Sequence, residues 1–139
     1  MWSSDRETSV KLTMNIAAVA CLLTGAAAWG ADFDGSKPLI CAPVEVNECA
    51  AGDACQRTTP REAGAPTFIR IDFERKAVTG PRRTAAIQLM EKSETQLLLM
   101  GVELGFGWTL ALDQESGDMT ATLTDREGVF VFFGSCTPL

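Results

Sequence analysis

The residue types that carry most enzyme chemistry are thinly represented in this chain. Its 139 residues include no histidine, so neither a Ser-His-Asp triad nor a Cys-His pair can be assembled. The sequence also lacks the S-x-x-K and G-x-S-x-G motifs, a Walker loop and a dinucleotide fingerprint. We therefore expect no catalytic residues, no cofactor and no enzymatic activity.

Two short clusters of acidic residues match the beginning of a calcium-binding loop but lack the residues that the rest of such a loop requires. The first, Asp32–Ser36, would place Pro43 where a calcium loop needs glutamate. The second, Asp113–Asp118, has its glycine one place too early. We interpret both as turn chemistry and expect no metal site, with a weak cation site at the second as the alternative. Glu103 lies in a glycine-rich stretch and is interpreted as a hairpin-tip carboxylate rather than a glycosidase acid.

Cysteine usage indicates two disulfides. Cys21 lies in a predicted leader, and four cysteines remain, an even number in a chain bound for an oxidising compartment. Three pairings are available, and we favour Cys49 with Cys55, which bracket a tight loop, and Cys41 with Cys136, which join the first strand to the last. A zinc or redox dithiol site is disfavoured because no C-x-x-C and no histidine occur.

Residues 1–30 are predicted to be a signal peptide. A short, alanine-rich apolar run, Met14–Gly30, follows a basic residue, and small residues occupy the −3 and −1 positions of a cut after Gly30. We accordingly predict one β domain over residues 31–139, a periplasmic or secreted location and no membrane anchor after cleavage. A mature N-terminal helix and a lipoprotein cut before Cys21 are the alternatives.

The charge balance narrows the class of partner. Twelve basic and 18 acidic side chains give a net charge of −6. Nucleic acids and anionic membranes are poor candidates, because contact with their phosphates needs lysine and arginine. A cationic protein is the partner that this charge would attract.

Alternation with a period of two predicts an all-β fold. The alternation is clear at 69–73, 84–89, 108–112 and 119–123, although residues 84–92 are ambiguous between a strand and a helix. Further short strands are expected at 39–48, 77–79, 97–100 and 129–133. Residues 57–66 are predicted to be a surface connection. Seven or eight short strands in an antiparallel meander favour a small barrel, with a β-sandwich as the alternative.

Two of these strands, Leu97–Met100 and Val129–Phe133, are apolar on both faces. We favour a central position in the sheet, covered on both sides, as the reason. A dimer seam or a face for an apolar ligand is the alternative.

The stretch from Gly101 to Gly107 is predicted to be a glycine-punctuated loop, followed by a strand that begins at Trp108. Glycine there permits a positive φ and close backbone approach. We expect Trp108 to pack inward and Phe106, at the tip, to be a contact residue or a packing residue with equal weight. The candidate contact residues are Glu103, Gly105, Phe106, Gly107 and Trp108.

Four segments together resemble a family of small exported proteobacterial proteins with no assigned activity. They are DFDGSKPLICA, AVTG at 77–80, GFGWTLAL and FGSCTP, and the resemblance spans nearly all of residues 32–138. It implies a periplasmic or secreted location and the two disulfides. It implies no catalytic residue.

The function expected from these observations is a non-enzymatic periplasmic binding or interaction module. One form of it would be an inhibitor of a cationic hydrolase, because the domain is acidic, small and tied by disulfides. The alternative is a small barrel that carries an apolar ligand, although a barrel of this size is usually filled by its own side chains.

Overall fold

Alternating apolar and polar residues build an antiparallel sheet in the computed structural model, which describes residues 32–139. Ten strands and no helix occur in that part of the chain. A helix long and apolar enough to cross a membrane is likewise not found in it. The strands are β1 (Leu39–Ala50), β2 (Gln56–Thr58), β3 (Ile69–Asp72), β4 (Ala77–Thr79), β5 (Thr84–Ala86), β6 (Leu89–Lys92), β7 (Gln96–Glu103), β8 (Phe106–Asp113), β9 (Asp118–Thr124) and β10 (Gly128–Pro138).

The strands form a single curled sheet. Nine of them follow one another in the order β5-β4-β3-β1-β10-β9-β8-β7-β6, and β2 pairs with β1. The two end strands, β5 and β6, are consecutive in the chain, and the Gln88 N–H between them donates to the carbonyl of Met100 at 2.9 Å. The sheet therefore curls into a half-barrel whose ends are brought together by residues 84–92. The prediction of an all-β antiparallel fold is confirmed; the expected small barrel is a half-barrel, with ten strands in residues 32–139 instead of seven or eight.

The core is one cluster of buried side chains, most of which come from β1, β3 and β7–β10. These strands lie on opposite sides of the curl, so the inside of the half-barrel is filled there by the protein's own residues. The N-terminal turn closes it from below, because Phe33 packs against the core and Lys92 donates to the carbonyl of Asp34 at 3.0 Å. The largest fully buried side chains are Leu39, Cys41, Val46, Ile71, Leu97, Leu99 and Leu112.

Both predicted disulfides are present. Cys41 and Cys136 are directly opposed in the β1–β10 pair, and their bridge ties the first strand to the last. Cys49 and Cys55 close the turn between β1 and β2. The predicted signal peptide, residues 1–30, lies outside the described residues, as does Cys21.

Two sequence-based boundaries are wrong. The predicted strand 84–89 ends at Ala86, because the chain leaves β4 there and crosses to β7. The predicted connection 57–66 contains most of β2, which pairs with Val46–Glu48 of β1. Only the turn after β2 is irregular, and the carboxylate of Glu62 orders it by accepting hydrogen bonds from Thr58 and Thr59.

Candidate functional site

The predicted contact loop is in fact the end of a β-hairpin. The β7–β8 pairing continues to Glu103 opposite Phe106, which leaves a turn of only two residues, Leu104 and Gly105. The loop prediction is therefore wrong, because Gly101 and Gly107 lie within the paired strands and only Gly105 lies in the turn. Phe106 is half-buried in β8 and does not form the tip.

Leu104 forms the tip, and sequence reasoning missed it. Its φ is 50° and that of Gly105 is 86°, which are the values that a two-residue hairpin turn with two positive φ angles requires. Asn-Gly is the favoured pair in such a turn, since a branched apolar residue is strained there. Leu104 is also 66% exposed. Two separate local preferences thus disfavour leucine at this position.

Trp108 lies on the inner face, directly opposite Gly101 in the β7–β8 pair. A β-carbon on Gly101 would stand 2.6 Å from the indole ring and 2.6 Å from the carbonyl oxygen of Ala86. The missing side chain therefore makes room for the indole and for the approach of β5 to β7. The indole N–H is buried without a hydrogen-bond partner in the described part of the chain.

We predict that Gly101→Ala lowers the free energy of unfolding by about 1–3 kcal/mol, because overpacking displaces the indole or β5. The shift is measurable by urea denaturation, and the emission of Trp108 should change with it. Gly107→Ala is the matched control in the same hairpin, since a β-carbon there would make only an ordinary contact of 3.6 Å with Thr124. Equal losses for the two variants would contradict this packing.

The outer face of β7–β10 carries a regular grid of uncharged side chains. Cross-strand partners share a face, and the registers of these four strands contain no shift. Three rows of four residues result. They are Leu98-Ala111-Thr120-Phe133, Met100-Thr109-Thr122-Val131 and Val102-Gly107-Thr124-Val129. We call these twelve residues the uncharged face.

Apolar side chains are exposed along this face. Val102 is 55% and Phe133 is 41% exposed, and Met100 is also exposed. Leu89 of β6, opposite Met100, extends the same row, and Leu104 stands at the end of the hairpin. The two strands predicted to be apolar on both faces thus expose one of those faces, and the interpretation that both of their sides are covered is wrong. Of the five predicted contact residues, only Gly107 belongs to the uncharged face.

Carboxylates border the uncharged face on two adjoining sides, with Glu91 across the β6 edge and Asp113 and Asp118 along β8 and β9. Glu91 lies opposite Leu98, Asp113 opposite Gln96 and Asp118 opposite Ser135, all at outward-facing positions. None of the three forms an ion pair within residues 32–139. We call them the acidic margin. A cavity of about 220 Å³ opens there, lined by Thr95, Gln96, Ala111, Asp113, Asp118 and Thr120.

Hydrogen bonds lower the pKa of three carboxylates within residues 32–139, namely Asp34, Glu62 and Asp113. The backbone N–H groups of Ser116 and Glu115 donate to Asp113 at 2.8 and 2.9 Å and hold its pKa below the ordinary value of 3.8. Hydrogen bonding from Ser36, supported by the Lys92 ammonium, lowers the pKa of Asp34 in the same way. Asp113 thus stays charged at the acidic margin.

These lowered pKa values predict acid-sensitive stability. A depressed pKa in the folded state stabilises the fold above the unfolded pKa, near 3.8, and that contribution disappears as the pH falls through the folded value. Asp34→Asn should therefore lower the melting temperature at pH 7 and match the wild type near pH 2. Glu74→Gln, at an exposed turn, is the control and should change little at any pH. If Asp34→Asn lowered the melting temperature by the same amount at all pH values, the stabilisation would not come from the lowered pKa of Asp34.

Comparison with known proteins gives no further identification. No protein-family model matches the chain. Neither a curated protein nor a solved structure shows significant similarity to it. The candidate site therefore stands on the geometry of the uncharged face, the acidic margin and the Leu104 tip.

Proposed function

We propose that this protein is a non-enzymatic binding module that docks a cationic protein partner on the uncharged face. The observation that carries the proposal is the grid itself. A chain with a net charge of −6 places no charged residue at any of twelve adjacent outward positions. Depletion of charge at an apolar centre with charge at the rim is the anatomy of a protein–protein interface.

The tip residue supports this function independently. Leu104 adopts a positive φ at a position where asparagine or glycine would be more stable, and it exposes an apolar side chain to water. Local strain of this kind persists where a site needs it. Burial of Leu104 against a partner would give the leucine a stabilising contact that the free protein does not supply.

The size of the face fits the centre of an interface. Strands spaced by about 4.8 Å, with same-face residues about 6.7 Å apart, give twelve positions roughly 400 Å² of sheet. A standard interface takes about 800 Å² from each partner. The uncharged face would supply about half of that area, and the hairpin tip, Leu89 and the acidic margin would supply the rest.

The charges at the border favour a cationic partner over a second copy of this chain. Glu91, Asp113 and Asp118 carry no ion pair within the described residues, and a symmetric dimer through this face would bring together two chains that each carry a net charge of −6. Like charges across an interface cost several kcal/mol. A partner with lysine or arginine around an apolar patch would instead pair with them, and the 220 Å³ cavity gives such a side chain room beside Asp113 and Asp118.

The location of this activity is proposed to be periplasmic or extracellular. Two disulfides are consistent with an oxidising compartment. An inhibitor of a cationic hydrolase is the finer form of the proposal, since such enzymes meet exported proteins there. Carriage of an apolar ligand is the weaker candidate, because a cluster of the protein's own buried side chains already packs together inside the half-barrel.

Site-specific photo-crosslinking in the native host tests the proposal. A benzophenone side chain at position 122, the centre of the uncharged face, should yield an adduct with one protein whose lysines and arginines outnumber its acidic residues. The same probe at position 79 is the control, because Thr79 lies on β4, across the half-barrel. An adduct of equal yield from position 79, or none from position 122, would overturn the proposal.

An activity assay tests the finer form. Egg-white lysozyme is a cationic hydrolase, and the inhibitor hypothesis predicts that the purified domain slows it at low salt and less so at high salt. Full lysozyme activity at a large excess of the domain would remove lysozyme-type hydrolases as partners. The crosslinking result decides the broader proposal.

A further inference from the structure

The two disulfides differ sharply in their access to solvent. Cys41 is completely buried and Cys136 is 6% exposed, whereas Cys55 is exposed and Cys49 is half-buried. Thiol–disulfide exchange requires a thiolate to reach one sulfur of the bridge. Only the Cys49–Cys55 bridge offers that access in the folded protein.

The exposed bridge fastens a short strand beside the uncharged face. It joins the end of β1 to the beginning of β2, and β2 has only three residues. Arg57, in the middle of β2, forms an ion pair with Glu45 of β1. Glu45 is the cross-strand neighbour of Phe133, which belongs to the uncharged face. The bridge thus holds a cation over a carboxylate at the edge of the proposed docking site.

We propose that Cys49–Cys55 is a thiol–disulfide exchange site whose reduction by a dithiol unpairs Glu45 and strengthens docking of a cationic partner. One thiolate of the dithiol attacks the sulfur of Cys55, forms a mixed disulfide and releases Cys49 as a thiolate, which takes up a proton. The second thiol attacks the mixed disulfide and releases Cys55. Two electrons and two protons pass to the protein, and the dithiol becomes a disulfide.

Loss of the bridge would free β2 and leave the rest of the sheet intact. β1 remains paired with β10 through Ala50–Gly128, while β2 has three cross-strand pairs and mostly exposed side chains. Arg57 would then no longer be held over Glu45, and the border would gain an unpaired carboxylate at the β1 edge of the face, in the row that ends in Glu91 at the β6 edge. An ion pair between the freed Glu45 carboxylate and a cation of the partner should raise the affinity by a factor of about two to five, as is usual for exposed charges.

The chemical part of this inference is testable without a partner. The native protein is treated with dithiothreitol, alkylated with iodoacetamide and mapped by peptide mass spectrometry. We expect Cys49 and Cys55 to be labelled while the Cys41–Cys136 bridge stays intact, and the amides of 56–58 to lose protection from hydrogen exchange. Labelling of all four cysteines together, or unchanged protection of 56–58, would overturn the inference.

The coupling to docking rests on the proposed function and is tested with a decalysine peptide as the cationic probe. The Cys49→Ala/Cys55→Ala variant should bind decalysine about two to five times more tightly than the oxidised wild type at low salt. Glu45→Gln in both backgrounds should remove that difference. Equal affinities, or no binding in either form, would overturn the coupling, whereas failure of the proposed function would appear separately, as loss of the position-122 adduct.

Discussion

Removing the buried disulfide, with Cys41→Ala and Cys136→Ala combined, is expected to lower the free energy of unfolding by about 4–5 kcal/mol. The bridge spans 95 residues, and closing a loop of that length removes the most entropy from the unfolded chain. Domains of this size are commonly stable by only ~5–15 kcal/mol. The loss should therefore appear in urea denaturation as a large drop in the midpoint and in heating as a fall of about 20 °C or more.

The second disulfide supplies the comparison. Cys49 and Cys55 are six residues apart, and the same loop-entropy relation gives a loss of only about 2–3 kcal/mol when both become alanine. The order of the two losses is the decisive feature. If the exposed bridge contributed as much as the buried one, the assignment of Cys41–Cys136 as the main covalent support of the half-barrel would be wrong.

Leu104→Asn is expected to change stability and binding in opposite directions. Asparagine tolerates the positive φ of the hairpin tip, so the free energy of unfolding should rise by about 0.5–1 kcal/mol. The same substitution removes the exposed leucine that we propose is buried in the complex. Burial of a leucine amounts to about 1.5–3 kcal/mol, so affinity for the partner captured through position 122 should fall roughly 10- to 100-fold.

Lys76→Asn is the matched control for this prediction. Lys76 is the other non-glycine residue with a positive φ, 51°, within residues 32–139, and it lies in the turn between β3 and β4. Its replacement should also stabilise the fold but leave binding unchanged. If Leu104→Asn stabilised the protein without weakening the complex, the tip would be a strained turn with no contact role.

The strands that could be predicted from the sequence are those whose apolar and polar residues alternate within the strand itself. Ile69, Ile71 and Phe73 alternate with polar residues, and that local period identifies β3 without knowledge of its neighbours. The disulfides were also predictable, because an even set of cysteines at these positions leaves few arrangements. The end of β5 at Ala86 was not predictable from the sequence. Only the positions of β4 and β7 show where β5 ends and β6 begins.

The candidate site was hidden for a different reason. The uncharged face exists only when Met100, Thr109, Thr122 and Val131 are aligned across four strands, and register is a property of the pairing rather than of any one strand. Leu104 was missed because three nearby glycines suggested a loop. A two-residue turn was detectable in principle, since the alternation on both sides of Leu104 can be extended until only Leu104 and Gly105 remain.

Whether the uncharged face is the docking surface can be measured as the affinity of the Thr122→Arg variant for the partner captured through position 122. An arginine at the centre of the face would meet a cationic partner with a buried like charge. The matched control is Thr79→Arg, because each substitution removes a cross-strand threonine hydroxyl pair, Thr109–Thr122 at 2.7 Å or Thr79–Thr84 at 3.2 Å. We expect the affinity to fall about 100-fold or more for Thr122→Arg and not to change for Thr79→Arg. Equal affinity of the two variants would contradict this expectation.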